Sequence, residues 1–182
     1  MSPWKGVVAA PFSADAFDAY VREIRLFEWR PEFVVLHNTQ IPTLGEWRNH
    51  TGAEQMQSFV EYYRDVQGWP AGPHLFVAED FIWVFTHLAT PGVHAPSWNR
   101  LSWGVELVGD YDHEALPAAL RANAVRALAA LHELGGIDPT TLKLHKEDPK
   151  TTHKSCPGTA IDKAGIIAAV QWLLASRQPK AA

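Results

Sequence analysis

Phe33-Val34-Val35-Leu36-His37 decides the fold class. Four consecutive apolar, mostly β-prone residues show no alternation toward solvent, the pattern of a strand buried on both faces between layers of helix. His37 closes the run before a polar loop over 38–45 and so stands at the strand's C-terminal end. Upstream, Phe17, Tyr20, Val21, Ile24 and Phe27 recur at helical spacing behind Ser13 or Asp15 as N-cap, which predicts an amphipathic helix ended by Pro31. Downstream, Thr51 and Glu54 have capping-box spacing ahead of Met56, Phe59, Val60 and Tyr63, so a second helix is predicted that stops near Gly68.

The β-prone runs 74–78 and 81–85, joined by Glu79-Asp80, read as a hairpin. The Pro-, Gly- and Ser-rich stretch 91–99 reads as a surface loop, and Trp103-Gly104-Val105-Glu106-Leu107-Val108 as another strand. A long helix is predicted from Pro117 in its first turn, through Leu120, Val125, Leu128 and Leu131, to Gly135-Gly136 at its end. A short strand over 142–145, a polar loop over 146–158 and a last helix carrying Ile161, Ile167, Val170 and Leu174 complete the pattern. Strands interleaved with helices predict an α/β domain, and the hairpin makes its central sheet mixed.

The chain has 182 residues, enough for one ordinary core, so a single domain over 1–182 is expected, with its core at about 33–175 and a frayed tail over 177–182. With 47% apolar and 20% charged residues the composition is that of a packed globular protein. The net charge of −4 lacks the basic footprint of a nucleic-acid binder. The longest stretch free of Asp, Glu, Lys and Arg holds Pro91, Gly92 and Pro96, unlike a spanning helix. The run 7–12 is too short for a secretory leader, which predicts synthesis in the cytoplasm. A lone cysteine, Cys156, excludes an intramolecular disulfide.

His37 and His145 each end a short apolar strand, where α/β proteins gather reactive groups. Eleven positions after His145, Lys154-Ser155-Cys156-Pro157-Gly158 contains a turn able to swing a thiolate back toward the preceding strand. Two imidazoles and a thiolate form a donor set for zinc that leaves a fourth position open, the arrangement of hydrolytic sites. Taken singly, each residue also has a plain reading: a hydrogen-bonded histidine, a small buried cysteine. Glu106 interrupts an apolar strand, and an unpaired buried carboxylate is costly, so it needs a partner or a raised pKa. Strand alternation turns it away from Val105 and Leu107, toward a cleft where it could accept and donate protons. Lys154 would lie on the same rim and stabilise negative charge on a tetrahedral intermediate.

In that order, His37, Ser102-Trp103-Gly104-Val105-Glu106-Leu107-Val108-Gly109, and His145 with Lys154-Ser155-Cys156-Pro157-Gly158 resemble the type 2 N-acetylmuramoyl-L-alanine amidases, the family of phage T7 lysozyme-like amidases and peptidoglycan recognition proteins. The resemblance covers about residues 33–158 and implies that fold, with zinc-dependent hydrolysis of the amide between N-acetylmuramic acid and the L-alanine of the stem peptide. It further implies His37, His145 and Cys156 as zinc ligands, Glu106 as the catalytic carboxylate of a glutamate-bearing branch, and Lys154 as the transition-state lysine. His94 and Asn99 are similar to substrate-side residues of the family. Pro73 precedes His74 where many phage-type members carry tyrosine, which leaves the proton work to Glu106. A loop about one residue longer than in similar sequences puts His153 beside the lysine as an alternative ligand. The implied partner is peptidoglycan or a muropeptide met by a monomer. An endolysin acting on the wall after release is the preferred role, against a cytosolic recycling amidase or a non-catalytic binding module. Trp47, Trp69, Trp83, Trp98 and Trp103 are candidates for a sugar groove as well as for the core.

Overall fold

The apolar run that opens the sequence reading forms the strand β2 (Phe33–Asn38), buried from Phe33 through His37. The computed structural model describes residues 4–5 and 10–177. Along the chain it contains β1 (Pro11–Phe12), α1 (Ala14–Glu23), β2, α2 (Leu44–Arg48), α3 (Gly52–Glu61) with a π-helical turn (Tyr62–Val66), β3 (Leu75–Val77), β4 (Ile82–Val84), β5 (Ser102–Leu107), α4 (Ala118–Gly135), β6 (Lys143–Leu144) and α5 (Lys163–Arg177). The strands make one six-stranded sheet in the order β1-β4-β3-β5-β2-β6. β2 runs parallel to β5 and β6, and β3 parallel to β5, whereas β4 is antiparallel to both β3 and β1. The sheet is therefore mixed, as expected from a hairpin set among crossovers.

Register explains how the two faces differ. Trp83, Phe76, Glu106 and His37 are partners across β4, β3, β5 and β2, so their side chains form one row on one face. The opposite face, carrying Leu36, Val105 and Leu75, meets α4, which in turn packs on α1 and α5. At the aromatic end of the row α3 covers the sheet: Phe59 stacks on Phe76 with centroids 4.3 Å apart, and Gly52 sits so close to Trp83 that a Cβ would lie 2.3 Å from its ring. The His37 and Glu106 end is left for a cleft. Among the described residues no helix is long and apolar enough to cross a membrane.

Several boundaries differ from the sequence reading. Ser13 caps α1, accepting the Ala16 N–H, but the helix ends at Glu23, and Phe27 is 84% exposed. Ile24 and Leu26 are buried by the turn that follows, so loop residues had extended the apolar periodicity. Residues within the expected 38–45 loop start α2, where Thr43 and Glu46 form a capping box just as Thr51 and Glu54 do for α3. The hairpin turn lacks glycine because side chains hold it: Arg48 makes a two-pronged bond to Glu79, and Asn123 donates to the Ala78 and Glu79 carbonyls. The 91–99 stretch folds inward, burying His94 and Ala95. Pro117 stands at the N-cap of α4, and left-handed Gly136 closes it. Arg177 is not frayed but pairs with Asp18 and Glu133. Residues 178–182 of the expected tail, and 7–9 of the run read against a leader, lie outside the described residues.

Candidate active site

Parallel pairing in register places His37 directly beside Glu106, with His37 Nδ1 3.9 Å from Glu106 Oε1. β6 pairs with the other edge of β2 and delivers His145 to the same rim. The 146–158 loop then returns: the Lys146 N–H donates to the Cys156 carbonyl at 2.8 Å, which brings the thiol back beside the strand end. The outcome is the convergence expected from sequence. One donor atom from each of His37, His145 and Cys156 lies within 4.8 Å of the others. Tetrahedral zinc, with bonds of about 2.0–2.3 Å, holds its donors about 3.5 Å apart, so small side-chain rotations close the set. His153 is not part of it; its exposed ring lies against His145, centroids 5.4 Å apart.

The electrostatics fit a metal centre. Burial, with the neighbouring His94 and His145, holds the His37 pKa well below its usual value, and burial with His153 brings His145 down to about 4. Both imidazoles are neutral at pH 7, with lone pairs to offer. Burial pushes the Cys156 thiol up, the Glu106 carboxylate adds to this, and the Asn38 backbone N–H opposes it. A cation would reverse that preference, since ligation deprotonates a thiol. Glu106 is 8% exposed, its Oε2 has no hydrogen-bond partner, and burial raises its pKa well above the ordinary carboxylate value. An unpartnered buried carboxyl oxygen beside two imidazoles and a thiol marks this cluster as a candidate site for a cation and a transferred proton.

Each of the two candidate histidines has a second contact. His145 Nε2 is 2.9 Å from Thr151 Oγ1, and His37 Nε2 is 3.1 Å from His94 Nδ1. His94 thus meets His37 and also lines the cleft. Asn99 does not line it; its Oδ1 accepts the N–H groups of His94 (2.7 Å) and Ala95 (2.8 Å) and so shapes the loop that carries His94. Lys154 is on the cleft rim, with Nζ on the Thr151 carbonyl at 2.7 Å. His74 packs within the sheet: its Nδ1 accepts the Gly104 N–H and its ring stacks on Trp29.

The cleft encloses about 880 Å³, between the loop after β2 (Gln40, Ile41), the α3 side (Phe59, Tyr63) and the 152–156 loop. Of the tryptophans considered for a sugar groove, Trp69 lines it. Trp47, Trp83 and Trp103 are core residues, and Trp98 packs on Phe33 beneath Lys143. Sequence reasoning missed Thr151, for which no local signal exists, and Gly104. A glycine inside a strand is a sign of close approach, and here a Cβ would lie 2.4 Å from the His94 ring.

The family model described as N-acetylmuramoyl-L-alanine amidase matches residues 28–159. Among solved structures, the chain is similar to the N-acetylmuramoyl-L-alanine amidase LysC from Clostridium intestinale, with 22% identity over 90% of this chain and 91% of that one and a TM-score of 0.65. It is similar to a Drosophila PGRP-LB variant in complex with tracheal cytotoxin, at 23% identity over 79% and 84% of the two chains and a TM-score of 0.63. It is also similar to the Ph2119 endolysin from a Thermus scotoductus bacteriophage, at 22% identity over 84% and 95% and a TM-score of 0.61. Comparison with curated protein sequences gave no match.

Proposed function

This chain belongs to the Amidase_2 family of N-acetylmuramoyl-L-alanine amidases, and on that premise we propose that its cleft uses zinc to hydrolyse the amide joining N-acetylmuramic acid to the L-alanine of a peptidoglycan stem peptide. The observation that carries this reading is the approach of the His37, His145 and Cys156 donor atoms to within 4.8 Å, next to a buried carboxyl with an unbonded oxygen. Held by those three residues, zinc would supply Lewis acidity, polarising the amide carbonyl and lowering the pKa of water toward neutrality.

Glu106 is the proton carrier. Burial raises the proton affinity of its carboxylate, so it can take a proton from the attacking water and return it to the departing amine nitrogen. On this reading the chain falls in the glutamate-bearing branch of the family. Lys154 would exchange the Thr151 carbonyl for the negative oxygen that develops on the scissile carbon. Walls contributed by Ile41, Phe59, Tyr63 and Trp69 give the muramyl peptide apolar and aromatic surface and keep bulk water from the reacting bond. The proposed role is that of an endolysin acting on peptidoglycan as a monomer, in keeping with the similarity to a phage endolysin.

Digestion of purified muropeptides with zinc-loaded protein tests the reaction. Mass spectrometry is expected to show stem peptides with a free L-alanine amine and intact glycan, lost on chelation; cut glycosidic bonds, or no release, would overturn it. Comparing intact sacculi with soluble anhydro-muropeptides tests the role. Faster release from sacculi supports the endolysin, and preference for the soluble fragment assigns the protein to wall recycling.

A further inference from the structure

His37 has two ring nitrogens, and a neutral imidazole offers a lone pair on one of them. A hydrogen-bond chain running away from the cleft decides which. His94 Nε2 lies 3.2 Å from the Ser102 carbonyl oxygen, an atom that can only accept. The proton of the neutral His94 ring is therefore on Nε2, and its Nδ1 carries the lone pair. That Nδ1 is 3.1 Å from His37 Nε2, so His37 Nε2–H must donate to it. The remaining nitrogen, His37 Nδ1, is left bare on the side of Glu106.

Three neighbouring features hold this hydrogen-bond chain in place. Asn99 Oδ1 grips two consecutive N–H groups, of His94 and Ala95, and fixes the loop from which the ring projects. Gly104, directly beneath, has no side chain, and a Cβ there would lie 2.7 Å from His94 Nδ1 itself. Ser102, one step along the same strand face, supplies the carbonyl.

We propose that His94 is a positioning residue that fixes the tautomer of His37, so that Nδ1 is the nitrogen presented to the metal. The proposal deepens the zinc-amidase reading and rests on it for its consequence. A merely space-filling His94 would leave His37 free to carry its proton on either nitrogen. A tautomer-setting one aims the lone pair before any ion arrives, the usual work of a hydrogen-bond partner behind a metal-bound imidazole.

Nitrogen-15 NMR of zinc-free protein with labelled histidine tests this directly, because protonated and bare ring nitrogens differ widely in shift. His37 is expected to be protonated at Nε2 and bare at Nδ1. A His37 proton on Nδ1, or an even mixture of tautomers, would overturn the proposal. In His94→Phe, which keeps the ring's bulk but removes the acceptor, the His37 signal is expected to shift toward a mixture and zinc affinity by chelator competition to fall about 10–100-fold. In His94→Asn, whose side-chain oxygen reaches about where Nδ1 lies, the Nε2-protonated form and part of the affinity should return. Wild-type zinc affinity with an unchanged His37 spectrum in His94→Phe would overturn the proposal. Should the phenylalanine variant fail to fold, the wild-type spectrum and the asparagine variant decide. Wild-type protein that binds no zinc would sink the amidase reading, while the tautomer still stands or falls on its spectrum.

Discussion

Replacing Gly104 by alanine would put a methyl group where the His94 ring now lies. The added Cβ would be 2.4 Å from His94 Cγ and 2.7 Å from Cδ2 and Nδ1, against 3.4–4 Å for ordinary contact, so the ring must retreat by about 1 Å. That movement breaks the bonds to His37 Nε2 and to the Ser102 carbonyl, at about 1 kcal/mol each. Overpacking of a filled site adds about 1–3 kcal/mol. Removing glycine from a strand offsets about 0.5–1 kcal/mol. The net expectation is a loss of about 2–4 kcal/mol, a fall in melting temperature of about 5–15 °C for a chain of this size. Zinc affinity should fall about 10–100-fold because His37 loses its orienting partner. Thermal melts of the metal-free protein and chelator competition read the two effects. Gly136→Ala is the control: its φ of +62° is strained for alanine but nothing lies within 4 Å, so it should cost about 1 kcal/mol and leave zinc binding unchanged. A Gly104→Ala protein with wild-type melting temperature and zinc affinity would refute the reasoning.

Glu106→Gln should retain zinc, since the carboxyl is not among the three donors, and lose turnover; muropeptide release at the wild-type rate would remove Glu106 from the mechanism. The same change bears on stability. The folded-state pKa of Glu106 is raised above the ordinary 4.5, so its contribution is fully present below about pH 4.5 and is lost as pH rises toward the folded value. Urea titrations of metal-free protein should therefore show the glutamine variant gaining on wild type by up to about 1.4 kcal/mol per pH unit over that window; a constant difference would count against the raised pKa. His74 runs the other way. Burial, with the positive charge of neighbouring His94 when protonated, lowers it to about 3, so stability present above its unfolded value of about 6.5 is lost as pH falls toward 3. Protonation would also break the Gly104 N–H bond to Nδ1. Denaturation midpoints measured from pH 7 to pH 4 should fall steadily, and a flat profile would contradict the neutral, buried histidine.

How legible the site was depends on which interactions are local. His37 and Glu106 could be placed because strand ends and strand alternation follow from a run of about six residues: one closes an apolar stretch, the other breaks one. Cys156 could be linked to His145 because a Pro-Gly turn implies chain reversal. The inward fold of 91–99 could not be read, since its composition is that of a surface loop. What buries it is Asn99 gripping the backbone five residues away and the empty space over Gly104 on another segment. The contacts of His94 could not be read for the same reason: the ring's partners are His37, 57 positions earlier, and a main-chain carbonyl eight positions later. The extra turn assigned to α1 came from Phe27, whose apolarity fits the helical period although nothing covers it.

The sequence by itself determined a mixed α/β domain and singled out two histidines, a cysteine and a glutamate as its candidate reactive set. Strand burial, helix caps and chain-reversing turns are short-range consequences of residue type, and all four residues sit at or within such elements. Tertiary structure alone decided how those groups are aimed. The register of β2 on β5, the glycine that admits the His94 ring, and the serine and threonine oxygens that meet imidazole nitrogens join segments far apart in the chain. A hydrogen bond's direction and a van der Waals radius act over a few ångströms of space, and no spacing along the chain encodes which atoms will be that close.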